Sequence, residues 1–181
     1  MWLYFTCYFV CGVVRGCIVH KMLNQLIQAV KTVARDEVMP CYQKVAHERK
    51  GDGSIFTQAD LATQVALNIS LKKILDCPVL GEEMTEAEQK QIWADNRDAL
   101  WCVDPIDGTR AYLAGREDWC VSVALVAGST PVLAAVFAPV TDEFFFAVRG
   151  QGTTLNARPV RATPGTELDF SRMAGPKPLV Q

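Results

Sequence analysis

"WCVDPIDGTRAY", residues Trp101 to Tyr112, runs from a compact apolar stretch into two aspartates separated by a proline and an isoleucine. The segment "LWCVD" has the length and composition of a buried strand. Gly108 and Thr109 then open a short helix over "TRAYLAG". Carboxylates three positions apart at a strand exit repel one another, and one takes up a proton unless a cation lies between them. Mg2+ suits carboxylate and carbonyl oxygens and is often shared with substrate phosphate. Asp104, Asp107 and the Ile106 carbonyl are the candidate ligands, and Pro105 stiffens the turn by removing an N–H. The free N–H groups where the helix starts attract an anion. Asp-Pro and Asp-Gly pairs are also ordinary turn formers, and Asp107 would serve equally as a helix cap.

Upstream, "CPVLGEEM" reads as a short strand ending at Gly81, so Glu82 reaches the same metal if the two strand ends are neighbours; otherwise "GEE" is a solvated acidic loop. "TEAEQKQIWADN" begins with the capping-box pair Thr85 and Glu88 and predicts a short surface helix. "TQADLATQVALNISLKKIL" predicts a helix with Leu61, Val65, Leu67, Ile69, Leu71 and Ile74 as its apolar positions and Thr57 or Asp60 as its cap. Before it, "ERKGDGS" is a glycine-containing loop carrying Lys50 and Asp52. From Leu23, apolar residues recur at helical spacing through Leu26, Ile27, Val30, Val33, Ala34 and Val38, and Pro40 marks the end.

Downstream, "WCVSVALVAG", "PVLAAVFAP" and "EFFFAVRG" are strand candidates joined by short turns, which predicts an antiparallel meander. "GQGTTLNARPVRAT" adds a turn and one further strand. Helices followed by a meander indicate an α+β or layered α/β domain.

The 181 residues are 50% hydrophobic, enough for one sizeable core. With 18 basic and 20 acidic residues the net charge is −2, and no stripe of Lys or Arg follows a nucleic-acid backbone, so no nucleic-acid partner is expected. The seven cysteines contain no CxxC pair and cannot all pair within the chain, which points to reduced thiols and a cytoplasmic setting. His20 and His47 are the only histidines, which argues against zinc chemistry and a serine hydrolase. The opening "MWLYFTCYFVCGVV" is apolar for fourteen residues. It is short of the roughly 20 of a membrane span and lacks a basic start. Residues 1–21 therefore read as an appended leader, with a peripheral anchor or an atypical signal as alternatives, and a membrane partner is not expected.

"TQAD", "LGEE" and "WCVDPIDGT", in this order and followed by "GQGTTLN", resemble the inositol monophosphatase family of magnesium-dependent, often lithium-sensitive phosphatases. The resemblance spans Leu23 to Thr163 and implies the family's layered αβαβα sandwich, here its N-terminal portion over residues 22–164 with a truncated tail at 165–181. It implies that Glu82, Asp104 and the Ile106 carbonyl hold a first Mg2+, that Asp104 and Asp107 contribute to a second, and that lithium inhibits. A site of about two or three ions is implied, in which the cations share the phosphate charge and activate a water. Glu82 and Thr109 would position or deprotonate that water, the backbone N–H groups of Gly108 and Thr109 would hold the phosphate, and Asp60 would hydrogen-bond near Thr109. Thr57, Lys50 and Glu83 are further candidates nearby, although for Thr57 and Asp60 helix capping is the plainer role.

The implied function is hydrolysis of a small phosphorylated alcohol such as inositol monophosphate. After "DPIDGT" the continuation Arg110-Ala111-Tyr112 looks closer to relatives acting on histidinol phosphate or on 3'(2'),5'-bisphosphate nucleotides, unless Arg110 is merely solvated and Tyr112 packs in the core. The family's later tryptophan–aspartate motif is absent after Thr163, which indicates a fragment of a longer enzyme or a shortened product. A catalytically silent fragment that binds metal, phosphate or another chain is the alternative of a different class. An uncovered apolar face among Val121 to Val148 would then favour a homo-oligomer.

Overall fold

The computed structural model describes residues 16–44, 47–49, 55–96 and 98–162. The first fifteen residues of the expected leader, the loop positions Lys50 and Asp52, and the tail from residue 163 lie outside the described residues.

Helix α1 (Gly16–Val33) begins earlier than the apolar spacing predicts, so residues 16–21 are helical. Leu26, Val30 and Val33 recur on one face and are buried. The helix widens into a π turn over Ala34–Val38 and tightens into a 3-10 turn over Met39–Cys41, where Pro40 can no longer donate to a helical ladder. Strands β1 (His47–Arg49) and β2 (Ile55–Thr57) flank the expected loop as an antiparallel pair. Helix α2 (Gln58–Ile74) carries the predicted cap: the Thr57 side chain accepts from the Asp60 N–H while the Asp60 carboxylate accepts from the Thr57 N–H.

The apolar positions of α2 divide between two faces. Leu67 and Leu71 are fully buried, but Leu61, Val65 and Ile69 are each at least half exposed. They form a second, outward stripe at i, i+4 and i+8.

Strand β3 (Val79–Gly81) is followed by α3 (Glu86–Asp95), whose Thr85/Glu88 capping box forms as predicted. Strand β4 (Ala99–Asp107) extends three residues past Asp104, and α4 (Thr109–Leu113) follows. The meander is β5 (Cys120–Ala127), β6 (Thr130–Ala138) and β7 (Glu143–Val148). Two short strands follow instead of one, β8 (Gly152–Leu155) and β9 (Arg158–Val160). All seven strands from β3 to β9 lie in sequence order in one sheet, with β3 parallel to β4 and every later pair antiparallel.

Strand alternation sorts the sheet into two faces. Trp101 opposes Leu125, Leu125 opposes Leu133, Val103 opposes Val123, and Phe137 opposes Phe144. These side chains join the α1 and α2 residues in one buried core. The opposite face carries the rows Cys102–Ala124–Ala134–Ala147 and Ser122–Val136–Phe145–Leu155, all of them half-buried. This is the apolar face anticipated between Val121 and Val148.

Candidate active site

The site is assembled at the end of the parallel pair. Gly81 lies opposite Val103, so the next residue along each strand, Glu82 and Asp104, are neighbours, and the Glu82 N–H donates to the Val103 carbonyl at 3.1 Å. Parallel strands bring their C-terminal ends, and the loops leaving them, to one side of a sheet. The upstream acid therefore does reach the downstream pair.

A bulge solves a second problem. Residues three apart on a regular strand point to opposite faces. An unbroken β4 would therefore aim one of Asp104 and Asp107 into the helix-packed core. Asp104 opposes Ser122 whereas Asp107 opposes Cys120, so three steps on β4 match two on β5. The extra residue returns both carboxylates to the face away from the helices. Ile106 takes the core position, 1% exposed, and Pro105 sits where a ladder hydrogen bond is lost in any case.

The electrostatics follow from the crowding. The Asp104 carboxyl is pushed up to about 8 by burial, by a hydrogen bond with Glu82 and by the charges of Glu82 and Asp107, while the Ile106 backbone pulls it the other way. Its Oδ1 is buried without a hydrogen-bond partner. The Cys120 thiol, 3.9 Å from Asp107 Oδ2, is pushed up to about 12 by burial and then by Asp107 and Asp104. Oxygen donors of one charge sign, with an orphaned buried oxygen among them, fit a hard divalent cation. The side chains do not close into a cage by themselves: among the described residues, no three His, Cys, Asp or Glu groups are gathered tightly enough to hold an ion.

Gly108 has φ of 91°, a left-handed conformation that favours glycine, and a Cβ there would come within 2.9 Å of the Asp118 carbonyl. The turn starts α4 directly after Asp107. Thr109 Oγ1 donates to the Ile106 carbonyl at 3.1 Å. Tyr112 is a core residue: its hydroxyl donates to the Val38 carbonyl at 2.8 Å, and its ring meets Trp119 edge-on at 4.9 Å. Arg110 is exposed on the outer side of the same turn.

Asp60 is buried and its carboxylate is committed to Thr57, accepting from the backbone N–H at 2.8 Å and the hydroxyl at 2.5 Å. Burial pushes this carboxyl up, the Thr57 hydrogen bonds pull it down, and Glu82 adds a smaller push upward. Among the described residues there is no hydrogen bond between Asp60 and Thr109. Lys50 is outside the described residues.

Two glutamines absent from the sequence-based list meet the "GEE" turn. Gln64 Oε1 accepts from the Glu83 N–H at 3.0 Å, and Gln89 Nε2 donates to the Gly81 carbonyl at 2.9 Å and the Glu82 carbonyl at 3.2 Å. Gln64 follows Asp60 by four residues, one helical turn along the same face, and that spacing is the signal that could have found it.

The model of the inositol monophosphatase family matches residues 18–176. The 3'(2'),5'-bisphosphate nucleotidase CysQ of Salmonella typhimurium is 34% identical over 135 residues, 72% of this chain and 53% of that protein. Inositol monophosphatase 2 of Solanum lycopersicum is 31% identical over 150 residues, 82% of this chain and 56% of that protein. The Thermotoga maritima IMPase structure superposes with a TM-score of 0.69 at 26% identity, covering 78% of this chain and 53% of that one. The chain thus spans about half the length of the curated relatives it matches.

Proposed function

The chain belongs to the inositol monophosphatase family, and from that premise we propose that it serves the Mg2+-dependent hydrolysis of a small phosphate monoester. The observation that carries this is the crowding of Glu82 and Asp107 around Asp104, whose buried Oδ1 lacks a partner, directly before the Gly108 turn. Glu82, Asp104, Asp107 and the Ile106 carbonyl would hold the ion, which supplies charge neutralisation and lowers the pKa of a water. Asp104 gives up its proton when a cation replaces it. Gly108, in its left-handed conformation, turns the chain so that the Gly108 and Thr109 N–H groups at the start of α4 would receive the phosphate oxygens. The Ile106 carbonyl fixes the Thr109 hydroxyl beside them.

Inositol monophosphate, histidinol phosphate and a 3'(2'),5'-bisphosphate nucleotide are the candidate substrates, and the exposed Arg110 would favour the last, which alone carries a second phosphate. Cys41, Cys77, Cys102 and Cys120 are free thiols, in keeping with a cytoplasmic setting. Among the described residues no helix is long and apolar enough to cross a membrane.

Phosphate release would be measured with Mg2+ over inositol monophosphate, histidinol phosphate and adenosine bisphosphate. Release abolished by Asp104→Asn supports the phosphatase. Mg2+ binding without release from any substrate assigns the chain to a silent metal- or phosphate-binding fragment instead.

A further inference from the structure

The buried polar residues among the described ones are Thr57, Asp60, Thr63 and Gln64, all at the start of α2, where it approaches the acidic turn. Burying such groups is costly unless they are hydrogen-bonded. Gln64 is 9% exposed and uses its amide oxygen on the backbone N–H of Glu83. Its amide also lies flat across Gly81: a Cβ on that glycine would stand 2.1 Å from Oε1 and 2.3 Å from Cδ. The absence of a side chain at residue 81 is what lets α2 come this close. From the other side, α3 sends Gln89 Nε2 to the two preceding carbonyls, of Gly81 and Glu82. The peptide groups on both sides of Glu82 are thereby held by side chains from two helices, one as acceptor and one as donor.

We propose that Gln64 and Gln89 are positioning residues for the cation site, clamping the Gly81–Glu83 turn so that the Glu82 carboxylate is presented to Asp104 before any ion arrives. The proposal rests on Glu82 being a cation ligand. Residues that orient ligands rather than bind the metal typically change affinity by about 10- to 100-fold when altered. The clamp has a polarity that a merely space-filling role lacks. Gln64 acts through an acceptor, which a glutamate would keep. Gln89 acts through a donor, which a glutamate would lose.

Mg2+ affinity is measured by calorimetry, with Mn2+ binding by electron paramagnetic resonance as a second probe, for the chain and for Glu82→Gln, Gln64→Leu, Gln64→Glu, Gln89→Leu and Gln89→Glu. Melting temperatures in EDTA are recorded for each. Gln64→Leu, Gln89→Leu and Gln89→Glu are expected to weaken binding by about tenfold or more, and Gln64→Glu to return it to near the parent value. Amide hydrogen exchange at Glu83 should accelerate in Gln64→Leu and slow again in Gln64→Glu, a reading available even if binding is lost through instability. Weakening by Glu82→Gln with no change in Gln64→Leu, or equal behaviour of the two glutamate variants, overturns the clamp while leaving Glu82 a ligand. Unchanged binding in Glu82→Gln overturns the ligand assignment and the clamp together.

Discussion

Glu82 stands beside Asp104 because β3 and β4 run parallel with Gly81 opposite Val103, and the Glu82 N–H fixes this placement by donating to the Val103 carbonyl at 3.1 Å. Acids crowded about a buried carboxyl mark the place a cation would take, and the loss of the proton that Asp104 retains there should be measurable.

The Asp104 carboxyl lies at about 8 in the folded chain against 3.8 ordinarily. Between those values the folded state keeps a proton that the unfolded chain has released. Metal-free stability should therefore fall as pH rises through this window and level off above it. Mg2+ displaces the proton, so its affinity should rise over the same window. Melting temperatures with EDTA and with Mg2+ should diverge progressively from about pH 5 to 8, and a constant gap would contradict the assignment.

Asp104→Asn removes the repulsion and keeps the shape. The variant should lose Mg2+ binding yet match or exceed the parent's melting temperature in EDTA at high pH. Its EDTA curve should also lose the pH slope described above.

Gly81→Ala forces either Gln64 or the turn to move, because the new methyl group overlaps the Gln64 amide. Overpacking of this kind costs about 1–3 kcal/mol. Chemical denaturation should report that loss together with weakened Mg2+ binding.

Tyr112→Phe deletes the hydroxyl that donates to the buried Val38 carbonyl. An unsatisfied buried group costs about 1–3 kcal/mol. Since Tyr112 supports α4 from within the core, denaturation should show this loss with little change in Mg2+ affinity.

The sheet face bearing Ala124, Ala134, Val136 and Phe145 is half-buried and largely apolar. Self-association through it is expected at micromolar concentration, and Val136→Asp with Phe145→Asp should shift light scattering toward the monomer. A monodisperse parent would count against this face as the contact.

Apolar spacing and capping pairs made α1, α2, α3 and the meander legible from the sequence, because each is set by residues within a turn or two of one another. The acidic motifs were legible as candidates, but their meeting was not. It depends on the β3–β4 register and on a bulge, and neither leaves a periodic trace beyond Pro105. The sequence marks Leu61, Val65 and Ile69 as apolar but not as exposed, because hydrophobicity alone does not tell which side of α2 finds a partner. Gln64 and Gln89 went unread because an amide that fixes a backbone looks, in sequence, like any polar residue on a helix.

The bulge in β4 also makes chain length itself a determinant of chemistry. The extra position sets the parity of the strand: add one more residue between Asp104 and Asp107 while the bulge still absorbs only one, and every side chain on one flank of the insertion exchanges faces with respect to the other. Hydropathy would hardly change, yet one acid would be delivered into the layer now filled by Ile106, and the electronegative ledge would be divided between two sides of the sheet. Substitutions at these positions tune the site, whereas a single-codon insertion dismantles it.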